Sequence, residues 1–221
     1  MKKGLTEVVF ILDKSGSMSG LESDTIGGYN SFIEKQKSSD GEVLISTVLF
    51  DDFPVVVHDR VDIKTIKPMT REDYFVGGCT ALLDAVGRAI HHIGNVHKYA
   101  REEDVPEKTI FVITTDGEEN SSTEYSYEKI KKMISLEQEK YGWEFLFLGA
   151  NIDAVGEAAR IGIKNDHAAR YYCDGVGTAM NFNCVSDAVI NLRCGKRLDG
   201  GWKQDIEDYE RRCESRKNKR Q

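Results

Sequence analysis

Apolar runs and helical periods alternate from one end of the chain to the other. The run at 8–12 is wholly apolar, and those at 43–50 and 109–113 are nearly so, as expected of strands buried on both faces. Asp51-Asp52 turns the second run into Val55-Val56-Val57, close enough for an antiparallel hairpin at a sheet edge. Further strands are predicted at 143–148 and, with a weaker pattern, at 168–172. Between them lie helical patterns. One covers 20–37, with Ile26, Tyr29, Phe32 and Ile33 on one side; another starts at Thr80 and carries Leu83, Val86, Ile90 and Ile93. Tyr127, Ile130, Ile134 and Tyr141 mark a third, Asp153 caps a short fourth closed by Gly162, and Phe182, Val185, Val189 and Leu192 mark a fifth. This alternation predicts an α/β fold in three layers: a mostly parallel central sheet, one antiparallel edge strand, and helices on both faces. Gly200-Gly201 is the best boundary, leaving a domain over 1–199 and a C-terminal segment over 200–221. In that segment Trp202, Ile206, Tyr209 and Cys213 form a helical stripe expected to pack on its own domain, followed by a basic end, 215–221, expected to be solvated and frayed.

Composition narrows the function. The 221 residues are 40% hydrophobic and 30% charged with three prolines, which excludes a disordered or fibrous chain. Lys plus Arg number 30 against 37 Asp plus Glu, a net charge of −7, so duplex nucleic acid is not expected as a main partner. No apolar run approaches a membrane span, and the one after Met1-Lys2-Lys3 is broken by Asp13 and too short for a signal peptide. The five cysteines (Cys79, Cys173, Cys184, Cys194, Cys213) are odd in number and form no CxxC pair, so a disulfide framework or zinc site is not expected, and free thiols in a reducing cytoplasm are.

Candidate chemistry gathers at the carboxyl ends of the strands, where an open parallel sheet binds ligands. The first strand runs into Asp13-Lys-Ser-Gly-Ser-Met18, with Asp13, Ser15 and Ser17 at alternate positions. The loop Gly77-Gly-Cys-Thr-Ala81 puts Thr80 at a helix start, and the strand 109–113 runs into Thr114-Thr-Asp-Gly-Glu118, putting Asp116 at its tip. Hydroxyls and carboxylates are hard oxygen donors, suited to Mg²⁺, Mn²⁺ or Ca²⁺ rather than to zinc or copper. DxSxS, a Thr in a Gly-rich loop and a strand ending in TDG together resemble the von Willebrand factor type A (vWA) domain over about residues 5–195. The metal-ion-dependent adhesion site (MIDAS) of that family matches Asp13, Ser15, Ser17, Thr80 and Asp116. The resemblance implies a Rossmann-like fold and a divalent cation, with Thr80 as the movable ligand. It also implies a partner protein that presents an Asp or Glu carboxylate to the metal. Stand-alone members often act as adaptors for ATPases or stress-response assemblies, so an intracellular adaptor is the expected function.

Competing readings exist for each residue. Asp13, Ser15 and Asp116 taken singly are ordinary helix caps. Glu118, Glu119 and Asn120 are either a partner-facing rim or a polar turn, with the rim slightly favoured. Asp51 and Asp52 are sufficiently explained by the hairpin turn. His91, His92 and His97 lack the spacing that aligns two imidazoles and are expected to be solvent-exposed or at a helix end. Cys79 is expected as a small buried packing residue. The alternative function is a Mg²⁺-dependent phosphohydrolase using Asp13, but the acid–base carboxylate it needs is replaced by Ser15, and no nucleophile–base pair or phosphate-binding loop is present, so an enzyme is not expected.

Overall fold

Residues 8–12 have no exposed face: all five are at most 1% exposed. Only a strand with a packed layer on either side meets that condition. In the computed structural model, which describes residues 1–150 and 152–218, they belong to β1 (Lys2–Asp13) at the centre of one sheet. Around β1 are β2 (Glu42–Phe50), β3 (Pro54–Asp62), β4 (Pro106–Thr115), β5 (Glu144–Ala150) and β6 (Ala168–Tyr171), in the order β3-β2-β1-β4-β5-β6. All pairings are parallel except β2 with β3, the expected antiparallel edge. β1 starts earlier and β3 runs further than the apolar runs indicate, because main-chain pairing continues past the last buried side chain.

Side chains alternate across the sheet and create two cores. Val8, Phe10, Leu12, Ile110 and Val112 face α1 (Glu22–Lys37), α5 (Gly175–Arg193) and α6 (Gln204–Asn218). Val9, Ile11, Phe111 and Ile113 face α2 (Leu82–Tyr99), α3 (Tyr127–Tyr141) and α4 (Ala154–Arg160). On the first face Phe10 meets Tyr29, Phe32 and Phe182 with ring centroids 5.5, 5.0 and 6.0 Å away. Gly28 lets α1 and α5 close on that cluster, since a Cβ there would lie 2.1 Å from the Phe182 ring.

The segment after Gly200-Gly201 is anchored near β6. Lys203 is buried, with Nζ donating to the carbonyls of Asn165 and Ala168 at 2.8 Å each, Trp202 Nε1 donates to the Asp166 carbonyl at 2.7 Å, and Ile206 joins the first core. Ser215, Arg216 and Lys217 lie exposed in the last turns of α6; residues 219–221 of the basic end lie outside the described residues. Among the described residues no helix is long and apolar enough to cross a membrane.

One buried charge was not foreseen. Glu7, on β1, is 0% exposed and receives Arg60 Nε from β3 at 2.7 Å and His97 Nε2 from α2 at 2.5 Å. His97 lies in the last turn of α2, one of the two placements expected of it, but it is not solvated, and it also packs edge-on against Trp143 at 5.4 Å. His92, by contrast, is a surface group 2.8 Å from Asp59. Arg60 reaches inward from a left-handed backbone (φ 52°) where the β2–β3 register shifts. Removing one partner of such a cluster strands the carboxylate in the interior. Arg60→Ala is expected to lower stability by about 3 kcal/mol, read as a shift of the urea midpoint at unchanged slope.

Candidate metal centre

Strands β1 to β3 run outward from the sheet centre on one side and β4 to β6 on the other. The crevice beyond the carboxyl ends of β1 and β4 is therefore the topological switch point, where side chains from two diverging halves of the chain meet. Leu12 pairs with Thr114, so Asp13 and Thr115 emerge side by side. Asp13 is fully buried; its Oδ2 accepts from Thr115 Oγ1 at 2.6 Å and its Oδ1 from the Ser15 N–H at 2.7 Å. That second bond curls the chain so that Ser15 Oγ and Ser17 Oγ stand 3.0 Å apart, and Ser17 Oγ donates to Asp116 Oδ1 at 2.6 Å.

The Thr80 loop is tied to the same place. Gly77 N donates to the Lys14 carbonyl at 2.9 Å and Gly16 N to the Gly78 carbonyl at 3.1 Å, locking the two Gly-containing loops together. Gly78 has φ +73°, a left-handed conformation, and a Cβ there would lie 2.3 Å from Asp52 Oδ2. Thr80 is held reciprocally by Asn120: its N–H donates to Asn120 Oδ1 at 2.9 Å and its carbonyl accepts from Asn120 N at 3.1 Å. A Cβ placed on Gly117 would lie 3.1 Å from Thr80 Oγ1 and 3.3 Å from Ser17 Oγ. Hydroxyls from two loops thus face one small region beside Asp116 that only glycine leaves open.

These five side chains fit a hard cation. Ser15 precedes the short turn Gly16–Met18 without making a side-chain cap bond, and no helix begins within several residues of Asp116, so neither is spent as a cap. Asp116 Oδ2 is buried with no hydrogen-bond partner. Burial pushes the carboxyl pKa of both Asp13 and Asp116 upward. Lys14, next in the chain to Asp13, makes its ion pair with Asp51. Two buried carboxylates without a protein cation are costly unless protonated or met by an outside one. Among the described residues no three His, Cys, Asp or Glu side chains gather to hold a metal, so the donors here are two carboxylates and three hydroxyls.

Several neighbours take roles other than those expected. Glu119 is drawn into the fold, accepting from the N–H groups of Leu83, Ser121 and Ser122, while Asn120 pins Thr80 and is, like Glu118, exposed. Asp51 and Asp52 do more than turn a hairpin. The Asp51 carbonyl accepts from Ala81 N at 2.8 Å and Asp52 Oδ1 from Cys79 N at 3.1 Å, clamping the Thr80 loop. Cys79 is exposed rather than buried, and the Asp52 carboxylate beside it holds its thiol pKa up. Thr115 and Tyr74, whose hydroxyl donates to the Asp13 carbonyl, were missed; only the TT of the TDG strand end hints at the first.

No protein-family model and no curated protein matches the sequence. Solved structures share its fold. Proximal thread matrix protein 1 of the mussel byssus is 16% identical over 86% of this chain and 46% of its own, with a TM-score of 0.55, and has been solved with a zinc-occupied MIDAS motif. The TRAP protein of Plasmodium vivax, in manganese-loaded form, is 15% identical over 81% of this chain and 72% of its own, with a TM-score of 0.58. A von Willebrand factor type A structure from Catenulispora acidiphila gives 14%, 84%, 42% and 0.55 for the same quantities. The fold is that of the vWA domain, and the chain spans less than half the length of the mussel protein.

The raised carboxyl pKa values have a definite sign in pH dependence. A carboxyl with a raised pKa in the folded state favours its protonated form there, so the stability it confers is complete below the ordinary carboxylate range and is lost as pH rises through the raised value. In chelator, the thermal midpoint of the wild-type protein is expected to fall relative to that of Asp116→Asn as pH goes from acidic to neutral, leaving the variant the more stable at pH 7. Parallel pH profiles would contradict this.

Proposed function

We propose that this chain is a divalent-metal-dependent protein-interaction module. Asp13, Ser15, Ser17, Thr80 and Asp116 hold a hard cation (Mg²⁺, Mn²⁺ or Ca²⁺), and a partner protein supplies an Asp or Glu carboxylate. The observation that carries this reading is the convergence of Ser15, Ser17 and Thr80 hydroxyls on Asp116, whose second oxygen is buried and unpartnered. A divalent ion bound there supplies an electron-poor position that favours an anion, because three of its five protein donors are neutral. Ser17 is the exposed member of the set and marks the side from which a partner approaches. One structural neighbour with a zinc-occupied MIDAS motif and another solved in manganese-loaded form support a divalent metal without choosing its identity.

A phosphohydrolase reading is weaker. A nucleophilic Asp13 would need a free oxygen facing substrate, yet it is fully buried and both oxygens are engaged by Ser15 and Thr115. We therefore assign it a positioning role and read the protein as a non-enzymatic adaptor. An ATPase or a stress-response assembly is the partner class suggested by the resemblance. A cytoplasmic location is part of the reading, in keeping with Cys79, Cys184, Cys194 and Cys213 all being unbridged.

Calorimetric titration with Mg²⁺ and with Mn²⁺ tests the site. One binding event is expected for the wild type and none for Ser15→Ala or Asp116→Asn. At a metal concentration of about 100 times Kd the wild type should gain about 2.7 kcal/mol of stability, and the variants should gain nothing. Heat unchanged by those substitutions would remove the metal from the function. Turnover of a phosphate ester that is lost in Asp13→Asn would favour the hydrolase instead.

A further inference from the structure

Two phenylalanines stand exposed on the loops that build the metal centre. Phe53, in the β2–β3 turn, is 70% exposed and Phe75, shortly before Gly77, is 68% exposed. Turns are ordinarily filled by small polar residues, and large aromatics left in water on adjoining loops mark interaction surfaces. Both are held in place by the residues that shape the site. Phe53 N donates to Asp51 Oδ1 at 3.1 Å, and Asp51 is the ion-pair partner of Lys14. Phe75 lies between Tyr74, bonded to the Asp13 carbonyl, and Gly77, bonded to the Lys14 carbonyl at 2.9 Å. The two rings are thus carried on a braced backbone, so little backbone ordering entropy is lost when they are covered.

Charge around the site limits what covers them. Lys14 sits among the carboxylates of Asp51 and Asp52, which outnumber it, and Glu118, exposed two residues after Asp116, has Arg160 within electrostatic reach. A tract of several acidic residues would meet this negative collar at each position except the metal. We infer that the surface takes a protein segment with a single Asp or Glu flanked by large apolar side chains, the acid at the metal centre and the apolar neighbours against Phe53 and Phe75. This rests on the metal-centre reading and specifies the partner for it. The carboxylate gives the attachment; the aromatic pair selects the sequence around it, as buried aromatic anchors do at protein interfaces.

Selection of a random heptapeptide phage library on Mn²⁺-loaded protein tests the inference, with parallel selections in chelator and on the double variant Phe53→Ser/Phe75→Ser. Both rings are at the surface, so the variant should keep its fold and its calorimetric Mn²⁺ binding. On the wild type, Asp or Glu next to Leu, Ile, Phe or Trp should be enriched, and recovery should collapse in chelator. On the variant the acid should persist while the apolar preference disappears. Synthetic copies of the enriched peptides should bind the variant about tenfold more weakly by fluorescence anisotropy. Acidic peptides without apolar neighbours, or equal affinity for the variant, would overturn this inference and leave the metal centre standing. Peptides lacking an acid, recovery indifferent to chelator, or no enrichment at all would overturn both.

Discussion

A carboxylate taken out of water needs a proton or a cation, and β1 carries two such carboxylates. Glu7 and Asp13 lie on the same face of the strand, six residues apart, and both are fully buried. The protein answers them differently. Glu7 receives a guanidinium and an imidazole and becomes a clamp between β3 and α2. Asp13 receives a backbone N–H and a hydroxyl, both neutral, and has buried Asp116 as a negative neighbour. Negative charge is therefore neutralised within the chain near the foot of β1 and left uncompensated at its head. An arrangement that is a defect in a structural core is an asset in a cation site.

The rest of the upper edge follows from that uncompensated charge. Ser15, Ser17 and Thr80 need fixed positions, and loops alone would not supply them, so each is cross-braced. Asp51 and Asp52 hold the Thr80 loop from the β2–β3 side and Asn120 holds it from the β4 side. Glycines at 16, 78 and 117 sit where a side chain would collide with the facing loop or fill the space between hydroxyls. Bracing of this kind also stiffens the neighbouring segments, which is why Phe53 and Phe75 are exposed yet anchored.

Pattern reading recovered the layers because buried strands and amphipathic helices obey different periods, and each period is a property of the local chain. The six strands, their order of appearance and the antiparallel edge were all legible, and DxSxS, the Gly-rich loop and TDG each fall at the end of a recognisable element. Cys79 and Glu119 were misjudged, and the buried partner of His97 and the Thr80 contact of Asn120 went unread. Each was read from its sequence neighbours, and each is decided by a group far away in the chain: Glu7 for His97, Asp52 for Cys79, Leu83 for Glu119 and Thr80 for Asn120.

What the sequence determined by itself was therefore the set of elements and which hydroxyls and carboxylates stand at their ends, both fixed by side-chain type and spacing. What only the tertiary structure decided was which charges are compensated. Hydrophobic periodicity reports whether a position faces the core, but not which charged group from another strand or helix arrives beside it. Glu7 and Asp13 look alike as acidic residues in an apolar strand, and it is the folding of β3 and α2 over one and of three loops over the other that gives the first cationic partners and the second only neutral donors.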